Sequence, residues 1–126
     1  MLPLCREEGI AVIPWSPLAR GLLGKKPGEK TVRSETDAFR KMLYTDDNDF
    51  AIAQRLHEVS ERKGVSGAQI ALAWMLGKPG ITAPITGATK PHHLDDAIAS
   101  LDVVLTPEEV TELEELYVPH PVKDHG

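Results

Sequence analysis

Gly9-Ile10-Ala11-Val12-Ile13-Pro14-Trp15-Ser16-Pro17-Leu18-Ala19-Arg20-Gly21-Leu22-Leu23 is the stretch on which the fold turns. Ile10 to Ile13 is an apolar run too short for a helix and bounded by turn-forming residues, the pattern of a fully buried parallel strand. Immediately after it come an aromatic ring, a hydroxyl and a guanidinium, and in parallel α/β folds ligands sit at that end of a strand. Before it, residues 2–8 have the character of the last turns of a helix, stopped by Gly9 where a left-handed residue is wanted. After it, the pattern loses its period from Trp15 to about Asp47. That is long for a loop in a compact domain, and such segments are usually functional or mobile.

Periodicity returns with a helix expected to open at Asn48 or Asp49 and to bury Phe50, Ala53, Leu56 and Val59 before Gly64 ends it. Ser66 and Gln69 have the spacing of a capping box. Ile70, Leu72, Ala73, Trp74 and Leu76 make the next helix apolar around much of its circumference, so it should be well buried. Gly77-Lys78-Pro79-Gly80 stops it. Ile81 to Ile85 is a second short strand, with Pro84 near its end because a proline in mid-ladder removes a donor. A turn at Thr86-Gly87-Ala88-Thr89 leads to a helix from Pro91 that places Leu94, Ala97, Ile98 and Leu101 on one face. Thr106 caps the last helix, with Pro107 in its first turn, Glu109 closing the box, and Val110, Leu113, Leu116 and Tyr117 along its apolar stripe.

The chain of 126 residues is 41% apolar and 26% charged, the composition of an ordinary globular segment. No repeat, low-complexity segment or linker divides residues 1–126, which are taken as one domain. One cysteine, Cys5, cannot form an internal disulfide. With neither a signal-peptide pattern nor a membrane-spanning stretch in the sequence, a cytoplasmic location is the expectation. A net charge of −5 argues against general nucleic-acid binding, which needs a basic face. Residues 20–41 nevertheless hold seven of the fourteen basic residues against three acids. That excess could face a phosphorylated small molecule, although on charge alone a solvated loop is the preferred reading. The five histidines show no metal-ligand spacing. His92 and His93 point about 100° apart on a helix and make a poor metal pair.

The element order is therefore helix, strand, long loop, two helices, strand, two helices. Two parallel strands alone leave both sheet edges unpaired and buried-type faces uncovered. The expectation is either a piece of a larger α/β protein or a chain that pairs with another polypeptide to complete its sheet. The second strand, the Gly87 turn and the helix after it offer free N–H groups and the positive end of a helix dipole, which favours a phosphate. Taken alone, an ordinary strand-to-helix turn explains that segment as well.

The residues then carry a resemblance. Trp-Ser-Pro-Leu-Ala-Arg-Gly-Leu-Leu at 15–23 and Ala-Pro-Ile-Thr-Gly-Ala-Thr-Lys-Pro-His-His-Leu-Asp-Asp-Ala at 83–97 together resemble the C-terminal part of an aldo-keto reductase, over nearly the whole chain. The resemblance implies an α/β fold that is a C-terminal fragment of a (β/α)8 TIM barrel, with two parallel strands, flanking helices and one long loop. It implies an NADPH-dependent oxidoreductase that reduces aldehydes or ketones, with a small-molecule carbonyl as substrate. It implies that Trp15 stacks on the nicotinamide and that Ser16, Leu18, Arg20 and Gly21 line the pyrophosphate. Gly87, Ala88, Thr89 and Lys90 then fall beside the ribose 2′-phosphate, where Lys90 would favour NADPH over NADH. His93 and Asp96 fall around the adenine and its ribose phosphate. Ala97 departs from the family, whose members often carry Asn there, and cannot make the amide contacts. The family's catalytic Tyr, Lys, Asp and His have no counterpart assigned in this sequence, so the chain is expected to supply cofactor-binding loops without the catalytic groups. A second reading makes it a non-catalytic remnant or interaction module that self-associates, or pairs with a partner, through exposed sheet edges.

Overall fold

The computed structural model describes residues 1–25, 38–44 and 46–119. Helix α1 spans Leu2–Glu7. Gly9, at φ 66°, turns the chain out of it, and the Ile10 amide returns to the Cys5 carbonyl at 2.7 Å. This is the left-handed closure expected of that glycine.

The two apolar runs lie side by side in the parallel sense. The Thr82 amide donates to the Val12 carbonyl and the Ile85 amide to the Pro14 carbonyl, both at 2.8 Å. A parallel bridge joins Trp15 to Ile85. Here the structure differs from the two expected strands: the bridge is isolated, and no strand is formed among the described residues. The local chemistry accounts for this. Pro14 and Pro84 have no N–H to give a ladder, and the Val12 amide donates at 3.0 Å to the Thr82 hydroxyl instead of to a carbonyl.

Within the aperiodic stretch stands a 3₁₀ turn at Ala19–Gly21 and a short helix, α2, Ala38–Leu43, which the sequence pattern did not announce. Much of the basic cluster between residues 20 and 41 falls outside the described residues. Helix α3, Asp47–Lys63, opens slightly earlier than expected, because Asp46 serves as the N-cap. The Asp46 amide donates to the Asp49 carboxylate at 3.3 Å, and Gly64 ends the helix at φ 67°. Ala53, Leu56 and Val59 are buried as the pattern predicts. Phe50 is not; it stays 51% exposed, since its side of the first turn is left open.

Helix α4, Gly67–Leu76, carries the Ser66/Gln69 box with both bonds formed, at 3.2 and 2.9 Å. Helix α5, Pro91–Ala99, runs into a 3₁₀ turn at Ser100–Asp102. Helix α6, Pro107–Glu114, closes the Thr106/Glu109 box. Both boxes satisfy helix donors that water would otherwise have to serve.

Helices α3, α4 and α6 enclose the core: Leu56, Val59, Ile70, Ala71 and Leu113, with Val65, Trp74, Val103 and Leu105 packed around it. Leu18 and Leu23, from the loop after the first apolar run, join the same cluster. The face of α5 expected to be buried is open instead: Leu94, Ile98 and Leu101 are all exposed, as are Ile10 and Ile13. No element among the described residues covers that side. Tyr117 is exposed because α6 ends at Glu114, before its stripe reaches so far. No helix among the described residues is long and apolar enough to cross a membrane.

A belt of ion pairs ties α6 to α3 and α4. Arg55 meets Glu115, Arg62 meets Glu112, and Lys63 meets Glu109 at 2.9 Å. Glu114 takes the Trp74 indole N–H at 2.7 Å and pairs with Lys78, whose ammonium lies 5.0 Å from the Trp74 ring centre. The Lys78 ammonium, then the indole, hold the Glu114 carboxyl below its ordinary value of 4.5. The Thr106 amide, then Lys63, do the same for Glu109. Depressed carboxyls stabilise the fold above the ordinary value, and that contribution is lost as pH falls through and below it. Urea midpoints should therefore drop steadily as pH is lowered from about 5 to about 3. A Glu114→Gln chain should be less stable at neutral pH and show a shallower drop.

Candidate functional site

The bridge between Trp15 and Ile85 sets the geometry of the site. The first loop begins at Trp15 and the second begins directly after Ile85, so a parallel pairing at these two residues brings both loops to one end of the molecule. Residues about 70 positions apart in sequence become neighbours by that single register.

The first loop is strained and tightly tied. Ser16, Ala19 and Arg20 have φ of 54°, 47° and 53°, a left-handed conformation that L-residues avoid. Each such residue costs about 1–2 kcal/mol, and a cluster of them marks a conformation that the surroundings enforce. The ties are explicit. The Ala19 amide donates to the Ser16 carbonyl at 3.0 Å, the Gly21 amide to the Leu18 carbonyl at 2.8 Å, and the Leu23 amide to the Leu18 carbonyl at 3.3 Å. The Ser16 hydroxyl oxygen accepts the Arg20 amide at 3.2 Å. Its O–H remains available as a donor. Pro17 and Leu22 are buried, and Leu18 and Leu23 reach the core, so the loop is seated through its apolar residues, with Ser16 and Arg20 half-buried. Gly21, at φ 89°, makes the last reversal, where a side chain would be strained.

At the mouth of this loop Trp15 is 62% exposed, which leaves indole surface open to a ligand. The side chain of Tyr44 is half-buried, and Arg20 of this loop acts on its phenol. Burial, then the Asp49 carboxylate, push its phenol above the ordinary value, while Arg20 pulls it down.

The second loop is open by comparison. Gly87, Ala88, Thr89 and Lys90 are all exposed, and nothing stands within 4 Å of where a Gly87 side chain would begin. Lys90 occupies the N-cap position of α5 with Pro91 at the first turn. One turn in, the His93 ring nitrogen Nδ1 accepts the Thr89 amide and faces the Thr89 hydroxyl, each at 3.4 Å. His93 and Asp96 are half-buried. The bridge thus starts both loops at one end, one carrying the exposed indole, the Ser16 hydroxyl and Arg20, the other leading to Lys90 and a helix N-terminus. That set suits an anionic ligand with a planar ring.

Two other features lie apart. An apolar cleft of about 380 Å³ runs between α4 and the segment before α6, lined by Ala73, Trp74, Leu76, Leu101, Val103 and Val110 among others. Its one charged lining residue, Lys78, is already paired with Glu114. No group of three or more His, Cys, Asp or Glu side chains is placed to hold a metal ion among the described residues.

The sequence profile of the aldo/keto reductase family matches residues 1–118. The chain is 43% identical over 123 residues to a versiconal hemiacetal acetate reductase of Aspergillus parasiticus, a match that covers 94% of the chain and 36% of that protein. It is 32% identical over 129 residues to an aldo-keto reductase of Fusarium vanettenii, covering all of the chain and 34% of the relative. The chain thus spans about a third of the length of these relatives. A crystal structure of a thermostable aldo-keto reductase with the inhibitor epalrestat superposes with a TM-score of 0.61, at 23% identity, over 92% of the chain and 33% of the solved one. That likeness shows the fold, a section of a TIM barrel.

Proposed function

Since the chain belongs to the aldo/keto reductase family, we propose that its two loops form the cofactor side of an NADPH-dependent reductase of aldehydes or ketones. The observation that carries this reading is the Trp15–Ile85 bridge, which pairs the start of the loop with the exposed indole to the start of the segment that leads to Lys90 and a helix N-terminus. When bound, the dihydronicotinamide supplies a hydride to the carbonyl carbon of a small-molecule substrate.

The chain's own residues bind and orient. Trp15 gives the ring a flat surface to lie on, and stacking fixes which face points to the substrate. The Ser16 hydroxyl, still free to donate, and the Arg20 guanidinium meet pyrophosphate oxygens, with Leu18 and Gly21 shaping the backbone there. Gly87, Ala88 and Thr89 let the adenosine end approach the backbone, with nothing within 4 Å of the position a Gly87 Cβ would take. Lys90, His93 and Asp96 surround its ribose, and Lys90 supplies the cation for the 2′-phosphate. On this reading neither Tyr44, half-buried with Arg20 acting on its phenol, nor Tyr117, past the end of α6, is assigned to protonate the carbonyl. The proton donor on this reading comes from another part of the barrel.

Lys90→Ala tests the assignment. It should weaken NADPH about tenfold, the loss of roughly 1.4 kcal/mol of charge-assisted contact, and leave NADH unchanged. Equal weakening of both, measured by fluorescence titration, would remove Lys90 from the phosphate site.

A further inference from the structure

The seat of the first loop lies in the corner between α3 and α4. A Cβ built at Gly67 would stand 2.7 Å from the Leu23 carbonyl oxygen, 2.8 Å from His57 Cε1 and 3.1 Å from His57 Nδ1. Gly67 is buried and His57 is only 7% exposed, so the imidazole has no solvent to retreat into, and the Leu23 neighbour is a backbone oxygen that moves only with its chain. Leu23 is in turn the residue whose amide closes the loop onto the Leu18 carbonyl, and both leucines pack on the core cluster. The backbone of Gly67 needs no special conformation, as it opens an ordinary helix directly after the Ser66 cap. Its missing side chain is therefore explained by space rather than by φ.

We propose that Gly67, with His57 packed beside it, is a positioning residue for the Trp15–Leu23 loop: the empty Cβ position admits the Leu23 carbonyl and so sets where Trp15 and Arg20 stand. Any side chain at Gly67 meets a backbone oxygen, which yields only by moving the loop. The loop holds four residues at positive φ between its ends, Ser16, Ala19, Arg20 and Gly21, so a shift at Leu23 reaches Arg20 through Leu22 and Gly21. Gly77 provides an internal contrast. A Cβ there meets nothing closer than 3.4 Å, and the residue lies at the other end of the same helix.

The test compares Gly67→Ala and Gly77→Ala in the full chain by amide hydrogen exchange. In Gly67→Ala, peptides covering residues 17–24 should exchange about tenfold faster, while peptides from α3 and α6 keep their protection. Gly77→Ala should leave the loop unchanged. No change in the loop for Gly67→Ala, or an equal loss of protection across α3, α4 and α6, overturns the proposal, because Gly67 would then act on nothing or on the whole fold. A second arm rests on the cofactor reading above: Gly67→Ala should weaken NADPH about tenfold, as displacement of a binding group does, with Gly77→Ala within twofold. If the unaltered chain does not bind NADPH, the cofactor reading fails and the exchange arm alone decides the role of Gly67.

Discussion

Ile70→Ala will destabilise the chain by about 2–5 kcal/mol, the range for emptying a closed apolar site. Ile70 is 0% exposed and sits in the cluster where α3, α4 and α6 meet, so the cavity has few ways to collapse. A loss of that size is a large share of the stability of a small domain. Urea unfolding followed by circular dichroism measures it. Leu94→Ala is the matched control. The sequence pattern places Leu94 on a buried stripe, but the structure leaves it 54% exposed, so its truncation should stay within about 0.5 kcal/mol. Because Leu18 and Leu23 lean on the same cluster, Ile70→Ala should also loosen the Trp15–Leu23 loop before the chain unfolds.

Trp15→Ala should have the opposite profile. Its side chain is largely exposed and its loss leaves no cavity, so stability should move by less than about 0.5 kcal/mol. Cofactor affinity should fall by about 2 kcal/mol, roughly thirtyfold, because an aromatic platform gives both apolar contact and a fixed ring orientation. Calorimetric titration with NADPH reads this without relying on tryptophan emission. Unaltered affinity would mean that the ring lies elsewhere.

Much of this architecture was legible where it depends on local chemistry. Ser66 with Gln69, and Thr106 with Glu109, signal helix starts by their spacing, and both boxes form. Gly9 and Gly64 signal helix ends, and both adopt the left-handed conformation. Patterns that depend on neighbours were less faithful. Leu94, Ile98 and Leu101 have the spacing of a buried face, but periodicity says which side of a helix is apolar, not what lies against it. The strand runs are apolar enough for a sheet, yet Pro14 and Pro84 and a side-chain contact from Thr82 reduce their pairing to one bridge. At the site, the two motifs named their residues by resemblance. The strain at Ser16, Ala19 and Arg20, the approach of Tyr44 and the fit of Leu23 against Gly67 are tertiary facts with no local signature.

The two loops, distant in sequence, are proposed to act as a single cofactor surface. Amide chemical-shift mapping of the 126-residue chain during an NADPH titration tests it most directly. The prediction is that residues 15–23 and 86–93 shift together and saturate at the same concentration, with the amides of α6 unmoved. Saturable binding that shifts only one of the two loops, or the absence of binding, would contradict it.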